Sequence, residues 1–178
     1  MTVSHLPWQL ISQELSETLS KIDANSFDQL VQIFSDTDRR WFFSGQGRSG
    51  LSAQMAAMRF MHIGRIVHFV GEVSAPSIRQ NDGLVIISGS GQTPVSLNFA
   101  QIAKSEGATV VAVTRDAQSP LAQMSDMTML VPTIASVQFG GSLFEQCSLL
   151  VLDSVILQLT AGIPDVHEAM QHRHTNLQ

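Results

Sequence analysis

Two short loops rich in serine and glycine contain the groups in this sequence best suited to hold a ligand. They read Ser-Gly-Gln-Gly-Arg-Ser-Gly over residues 44–50 and Ser-Gly-Ser-Gly-Gln-Thr over residues 88–93. Each follows an apolar run and precedes a segment with helical spacing, so each is predicted to join the carboxyl end of a strand to the start of a helix. Glycine at such a junction lets the backbone approach a ligand, and the free N–H groups of the helix favour an anion.

The side chains of these loops indicate which anion. Those that we assign to phosphate binding are mostly neutral hydroxyls: Ser49, Ser88, Ser90 and Thr93, with Gly47 and Arg48 of the first loop. A charge-assisted hydrogen bond contributes about 1.5 to 3 kcal/mol, which suits one terminal phosphate ester. A single loop of this kind is more often a plain strand-to-helix turn with a hydroxyl cap. Two such loops favour a binding site.

A dinucleotide site is the alternative. Gly45, Gly47 and Gly50 match the Gly-x-Gly-x-x-Gly pattern, and Glu72 follows at about the distance of a ribose-binding acid. The chain has no length for a separate substrate domain, however, and this reading gives the second loop no role. Phosphosugar binding explains more of the sequence.

The segments that position the loops alternate between short apolar runs and helical patterns. The strands are predicted at 41–44, 66–70, 84–88, 109–114 and 127–132, with helices at about 49–63 and 93–106 between them. Strands that are apolar throughout are typical of a parallel sheet covered on both faces, and crossovers in such sheets are right-handed. The prediction is an α/β fold: a three-layer, doubly wound sheet of five parallel strands, with Gly64 and Gly107 ending helices.

The length of 178 residues predicts a single domain. We divide it into a helical lead-in at 1–36, an α/β core at 39–162, and a C-terminal helix and tail at 163–178. The second lead-in helix is expected to begin at a cap on Asn25 or Ser26.

The segment 142–159 has almost no polar face, so a helix there must be covered all round. Two interpretations are open: burial within one subunit, or partial burial against another copy, and we expect a homo-oligomer. The one cysteine, Cys147, cannot form a disulfide within the chain and fits a reducing cytoplasm. The apolar stretch 149–159 is too short and too interrupted to span a bilayer, so no membrane segment is expected.

Composition excludes two further classes. A formal net charge of −5 is the wrong sign for a protein that binds nucleic acid by its phosphates. A hydrophobic content of 44% with only 14% charged residues excludes an intrinsically disordered chain.

Six short motifs make residues 40–178 resemble the 6-phospho-3-hexuloisomerases of the sugar isomerase (SIS) fold. They are SGQGRSG, MRFMHIG, VGE, ISGSGQT, GGSLFEQ and the ending RHTNLQ, of which GSLFEQ combined with the RHxNL ending is the most specific. The chain departs from the family at Gln46 and Thr175, where alanine is common. The resemblance implies interconversion of D-arabino-3-hexulose 6-phosphate and fructose 6-phosphate in the ribulose monophosphate pathway of formaldehyde fixation. It also implies that no cofactor, metal or nucleotide is needed, and that the protein is a tetramer.

The resemblance also implies that Glu145 is the catalytic acid and base. Moving a carbonyl from C3 to C2 requires a base that removes the C2 proton and an enediol intermediate that is then protonated at C3. A first-turn acid that only stabilises its helix is the plainer interpretation of Glu145. Arg48 could place positive charge beside the enediolate.

A histidine is the expected second proton carrier, since its ordinary pKa is about 6.5. We favour His62 and then His174, although His62 lies about three and a half turns from the first loop, too far to reach a phosphate there in the same subunit, and could instead serve a neighbour's site. His68 is expected to be a hydrogen-bonded core residue. Glu72 is expected either to accept a hydrogen bond from a sugar hydroxyl or to be a solvated loop acid.

Two other functions are weighed: a catalytically silent SIS module that senses a sugar phosphate, and a dinucleotide-binding oxidoreductase. A related isomerase of another phosphosugar is a further alternative, because hydroxyl stereochemistry is read by side chains that the sequence alone does not position.

Overall fold

The computed structural model describes residues 6–133 and 135–177, so the ends of the predicted lead-in and tail lie outside the described residues. The described chain forms seven helices and five strands. In order they are α1 (Pro7–Leu19), α2 (Ala24–Ser35), β1 (Trp41–Gly45), α3 (Arg48–His62), β2 (Val67–Phe69), β3 (Gly83–Ile87), α4 (Pro94–Ser105), β4 (Thr109–Thr114), α5 (Pro120–Met124), β5 (Met127–Leu130), α6 (Ser142–Thr160) and α7 (Val166–Arg173).

The strands form one parallel sheet in the order β2-β1-β3-β4-β5. The prediction of a five-stranded, doubly wound parallel sheet is therefore confirmed. The order reverses direction between β1 and β3, which are hydrogen-bonded neighbours with Gly45 opposite Ile87. Because ligands of open α/β sheets bind where the strand order reverses, this topology places the two Ser/Gly loops side by side at the expected location.

Alternate side chains of the strands enter two cores, one on each face of the sheet. Trp41 and Phe43 of β1 pack in the larger core, against α2, α3 and α6, while Phe42 packs with residues of α4 and α5 on the other face. Every residue of β1 and β3 is buried. This two-sided coverage is the physical reason that the strands are apolar throughout.

A cluster of aromatic rings anchors the lead-in to the sheet. The ring of Phe34 on α2 lies 4.3 Å from that of Trp41 and 4.4 Å from that of Phe60 on α3. Aromatic pairs add about 0.5 to 1.5 kcal/mol each beyond the area they bury. The cap of α2 corrects the sequence prediction: Asp23, rather than Asn25 or Ser26, is the N-cap and accepts a hydrogen bond from the Ser26 amide.

Helix α6 is a core helix that also presents apolar side chains outwards. It packs against α3, α1 and α2 and buries Cys147, Val151 and Leu152, while Leu157 is 74% exposed. Among the described residues it is the one helix long and apolar enough to cross a bilayer, and its contacts within the chain are those of a core helix.

Candidate active site

The second Ser/Gly loop gathers hydroxyls at the end of β3. Ser88 is almost fully buried, and its hydroxyl lies 3.4 Å from that of Thr93. Thr93 is the N-cap of α4 but makes no side-chain cap bond, so its hydroxyl is turned towards Ser88 instead. The hydroxyl oxygen of Ser90 accepts a hydrogen bond from the Gln92 amide. The loop therefore presents hydroxyls at a helix N-terminus, the arrangement that suits an anion.

The first loop is held tightly against its helix. A Cβ on Gly45 would lie 2.7 Å from the backbone of Ser49, so no side chain fits there and the strand can turn directly into α3. Gly47 is the N-cap with a positive φ of 57°, and Arg48 and the half-buried Ser49 follow in the first turn. The loop positions these residues beside the second loop because β1 and β3 are neighbours.

Glu145 reaches the first loop from another element. It lies in the first turn of α6, and its Oε2 accepts a hydrogen bond from Nε of Arg48 across 2.5 Å. The side chain of Glu145 is only 13% exposed, whereas that of Arg48 is 63% exposed. Ser52 of α3 donates to the backbone carbonyl of Glu145 and ties the two helices together. A shielded carboxylate paired with an exposed cation is thus placed next to the candidate phosphate loops.

The two histidines lie together, away from Glu145. His62 ends α3, about 21 Å along the helix from Arg48. Its ring stacks on that of His174, with centroids 5.4 Å apart, and its Nδ1 lies 3.5 Å from Nη1 of Arg59. Burial lowers the pKa of His62, and the charges of Arg59 and His174 lower it further. Within one chain the structure does not bring these rings to the carboxylate.

Glu72 contacts a histidine of the strand that precedes it. Its Oε1 lies 2.9 Å from Nδ1 of His68, on the edge strand β2. His68 is half-buried rather than a core residue, which corrects the sequence prediction, because no further strand covers that edge in the described part of the chain. The carboxylate of Glu72 lies in the turn after β2 and keeps one oxygen free of hydrogen bonds to described residues.

Sequence reasoning missed Arg115. It follows β4, and its Nε donates to the carbonyl of Gly89 in the second loop. Arg115 also lines a polar cleft of about 70 Å³ together with Gln138, Gly141 and Phe144. The sequence could have indicated Arg115, since it follows the carboxyl end of a third predicted strand in the same sheet. Over the described residues, no group of three or more His, Cys, Asp or Glu side chains could hold a metal ion.

Comparison with known proteins places this geometry in a family. The SIS domain family matches residues 33–161. A 3-hexulose-6-phosphate isomerase of Mycobacterium gastri is 36% identical, over 95% of this chain and 88% of the relative, and one of Bacillus subtilis strain 168 is 35% identical, over 94% and 95%.

A solved structure extends the likeness to three dimensions. It is a Methanococcus jannaschii protein whose structure was taken to imply 3-hexulose-6-phosphate isomerase function. It is 28% identical with a TM-score of 0.85, over 96% of this chain and 98% of that one. The chain belongs to the SIS domain family, among the relatives named 3-hexulose-6-phosphate isomerases.

Proposed function

We propose that this protein is an isomerase that interconverts D-arabino-3-hexulose 6-phosphate and fructose 6-phosphate. The observation that carries the proposal is the pairing of Glu145 with Arg48 beside two hydroxyl-rich loops. Relatives that match nearly the whole chain have the activity that the sequence motifs imply. The phosphate would lie against Ser49, Ser88, Ser90 and Thr93, with the amides around Gly47 as further donors.

In the proposed reaction Glu145 removes the proton from C2, and the electron pair of that C–H bond forms the C2–C3 double bond of a cis-enediolate. The former carbonyl oxygen O3 takes up the negative charge and is protonated. Loss of the O2 proton then forms the C2 carbonyl, while Glu145 returns its proton to C3. Arg48 moves from the carboxylate to the developing oxyanion, where an oriented donor commonly contributes a factor of about 10² to 10³ in rate. The reaction needs no metal or nucleotide.

A homo-oligomer reconciles the histidines with this site. On α3 the side chains of Leu51, Met55 and Met58 are each more than half exposed, and they recur at the spacing of one helix face that continues to His62. Met55 is the midpoint between Arg48 and His62. If two such helices pack antiparallel across a two-fold axis near Met55, the His62 end of one lies beside the Arg48 end of the other.

His174 covers His62 in each chain, so the ring open to the neighbouring copy is that of His174, with His62 beneath it. We propose His62 and His174 as the proton carriers that serve O2 and O3 of a neighbour's substrate. The family resemblance favours a tetramer. We further propose a cytoplasmic enzyme of the ribulose monophosphate pathway, with a sugar phosphate as its partner and with neither nucleic acid nor a membrane.

An activity assay with 3-hexulose 6-phosphate tests the function. The parent should form fructose 6-phosphate, and Glu145→Gln should lose a factor of about 10² to 10⁴ in kcat while still binding fructose 6-phosphate in calorimetry. Glu106→Gln, which removes the carboxylate that pairs with Arg79 at the end of α4, is the matched control and should retain activity. Binding without turnover in the parent would support the silent sensor, and tight NAD(H) binding would support the oxidoreductase. Turnover of Glu145→Gln at the parental rate would show that another group is the base.

Light scattering tests the oligomer. Met55→Arg places a charge in the middle of the proposed interface and should lower the molar mass and the activity together. Ile102→Arg, at a similarly exposed site on α4, should leave both unchanged. A monomeric but fully active parent would contradict the shared site.

A further inference from the structure

A cavity at the far end of the molecule is separate from the two Ser/Gly loops. It has a volume of about 310 Å³ and lies between the C-terminal ends of α3 and α6 and one face of α7. Its lining includes Arg65, Leu159, Ile163, Met170 and Arg173. The volume is at the lower end of the range for small-molecule sites.

Two arginines and no carboxylate line this cavity in the described part of the chain. That balance is opposite to the protein's formal charge of −5. Each guanidinium also caps the C-terminal end of a helix. Nη2 of Arg65 donates to the carbonyl of Phe34 on α2, and Nη1 of Arg173 donates to that of His62 on α3.

Those structural bonds use one nitrogen of each arginine. Nη1 of Arg173 also donates to the carbonyl of Ala169, and its Nη2 and Nε lie over Gly64. Arg173 is exposed, so an incoming anion can reach it. Asp36 lies near Arg65 but also pairs with Arg39 at 3.5 Å, so its charge is shared between two cations.

Apart from Thr37 and Thr160, the remaining walls are apolar. Leu159 and Ile163 come from the end of α6 and the turn after it, and Met170 projects from α7. A pocket lined by both guanidinium groups and apolar side chains matches a small anion with a hydrocarbon body, because the anion gains charge-assisted hydrogen bonds and the hydrocarbon leaves water.

We propose that this cavity binds a small organic carboxylate with a short apolar chain, whose carboxylate is held by Arg65 and Arg173 and whose chain contacts Leu159, Ile163 and Met170. Arginine is suited to this role because its planar guanidinium forms paired hydrogen bonds with a carboxylate. The cavity is distinct from the Ser/Gly loops, but it adjoins the proposed proton carriers, because Arg173 donates to the backbone carbonyl of His62.

Methyl NMR of the parent protein tests the proposal without any substitution. Hexanoate should shift the methyl resonances of Ile163 and Met170 in a saturable way and leave that of Met129, in the sheet core, unchanged. Hexanol tests the need for charge, and inorganic phosphate tests the need for an apolar chain; both should bind at least about tenfold more weakly. The proposal is overturned if hexanoate at about 10 mM shifts neither methyl, or if hexanol shifts them equally well.

Substitutions test the two arginines. Arg173→Gln and Arg65→Gln should each weaken hexanoate binding about tenfold or more, since each removes a charge-assisted contact. Arg79→Gln, on a surface ion pair outside the cavity, should bind hexanoate like the parent. Circular dichroism establishes that each variant is folded. Parental affinity in folded Arg173→Gln would assign that arginine to helix capping alone and overturn the proposal.

Discussion

Nε of Arg48 donates to Oε2 of Glu145 across 2.5 Å and joins the first turns of α3 and α6. The two residues are 97 positions apart in the chain, so this contact is made by the fold alone. The shielded partner is the carboxylate and the accessible one is the guanidinium. In the proposed reaction, the exposed Arg48 follows the charge that develops on the substrate while the shielded Glu145 stays in place.

Arg48→Gln is therefore expected to lower kcat/KM by a factor of about 10², because an oriented cation at the oxyanion is removed. Steady-state kinetics measure the effect. Arg79→Gln provides a matched control, since the Arg79 side chain is also 63% exposed and also pairs with a glutamate. Equal kcat/KM for Arg48→Gln and the parent would show that Arg48 does not stabilise the oxyanion and only pairs with Glu145.

The hydroxyl pair of the second loop should act through substrate affinity. Ser88→Ala combined with Thr93→Val is expected to raise KM about tenfold or more while changing kcat less, because phosphate contacts are made in the ground state and the transition state alike. Ser105→Ala, which removes an exposed hydroxyl at the other end of α4, is the control. A loss of kcat without a rise in KM would contradict this assignment and indicate that these hydroxyls contact the reacting carbons rather than the phosphate.

Arg115 should contribute to substrate binding from a third strand end. Arg115→Gln is expected to raise KM by about tenfold because a cation beside the second loop is lost. Kinetics at low and at high salt distinguish this local contact from a general charge effect, which salt screens. Lys21→Gln makes the same change of charge in the lead-in and should have parental kinetics.

Gly91 should be hard to replace. Its φ is 59°, and a Cβ there would overlap the side chain of Ser119. Gly91→Ala is expected to lower the free energy of unfolding by about 2 to 4 kcal/mol, from left-handed strain and overpacking together. Gly162→Ala, with φ of 74° and no atom near its Cβ, should lose only about 1 to 2 kcal/mol. Urea unfolding compares the two, and equal losses would mean that the loop relaxes around Ser119.

His62 should make stability depend on pH. Burial, followed by the charges of Arg59 and His174, lowers its pKa in the folded state below the ordinary value of 6.5. The unfolded chain then binds more protons, so the free energy of unfolding falls as the pH drops below about 6.5 towards the lowered folded value. Unfolding measured across this window should show a flatter profile for His62→Gln than for His172→Gln, a substitution in the exposed part of α7. Identical pH profiles for the two variants would show that His62 is not the source of the pH dependence of stability.

The sequence by itself determined the sheet and its two loops. Uniformly apolar strands require cover on both faces, and glycines with hydroxyls between strand and helix patterns mark the turns, so these features are encoded within a few neighbouring residues. The residue types alone did not identify the N-cap of α2, because Asp23, Asn25 and Ser26 can all cap a helix; in the structure the Asp23 side chain accepts the hydrogen bond from the Ser26 amide.

Only the tertiary structure decided which distant side chains meet. Glu145 is joined to Arg48, Arg115 reaches Gly89 from a third strand, and His62 stacks on His174 at the other end of α3. These contacts depend on strand order and on how helices cross the sheet, which are set by long-range packing. The spacing of residues along the chain does not reveal these contacts, because each one joins elements that are far apart in the sequence and close together only in the folded protein.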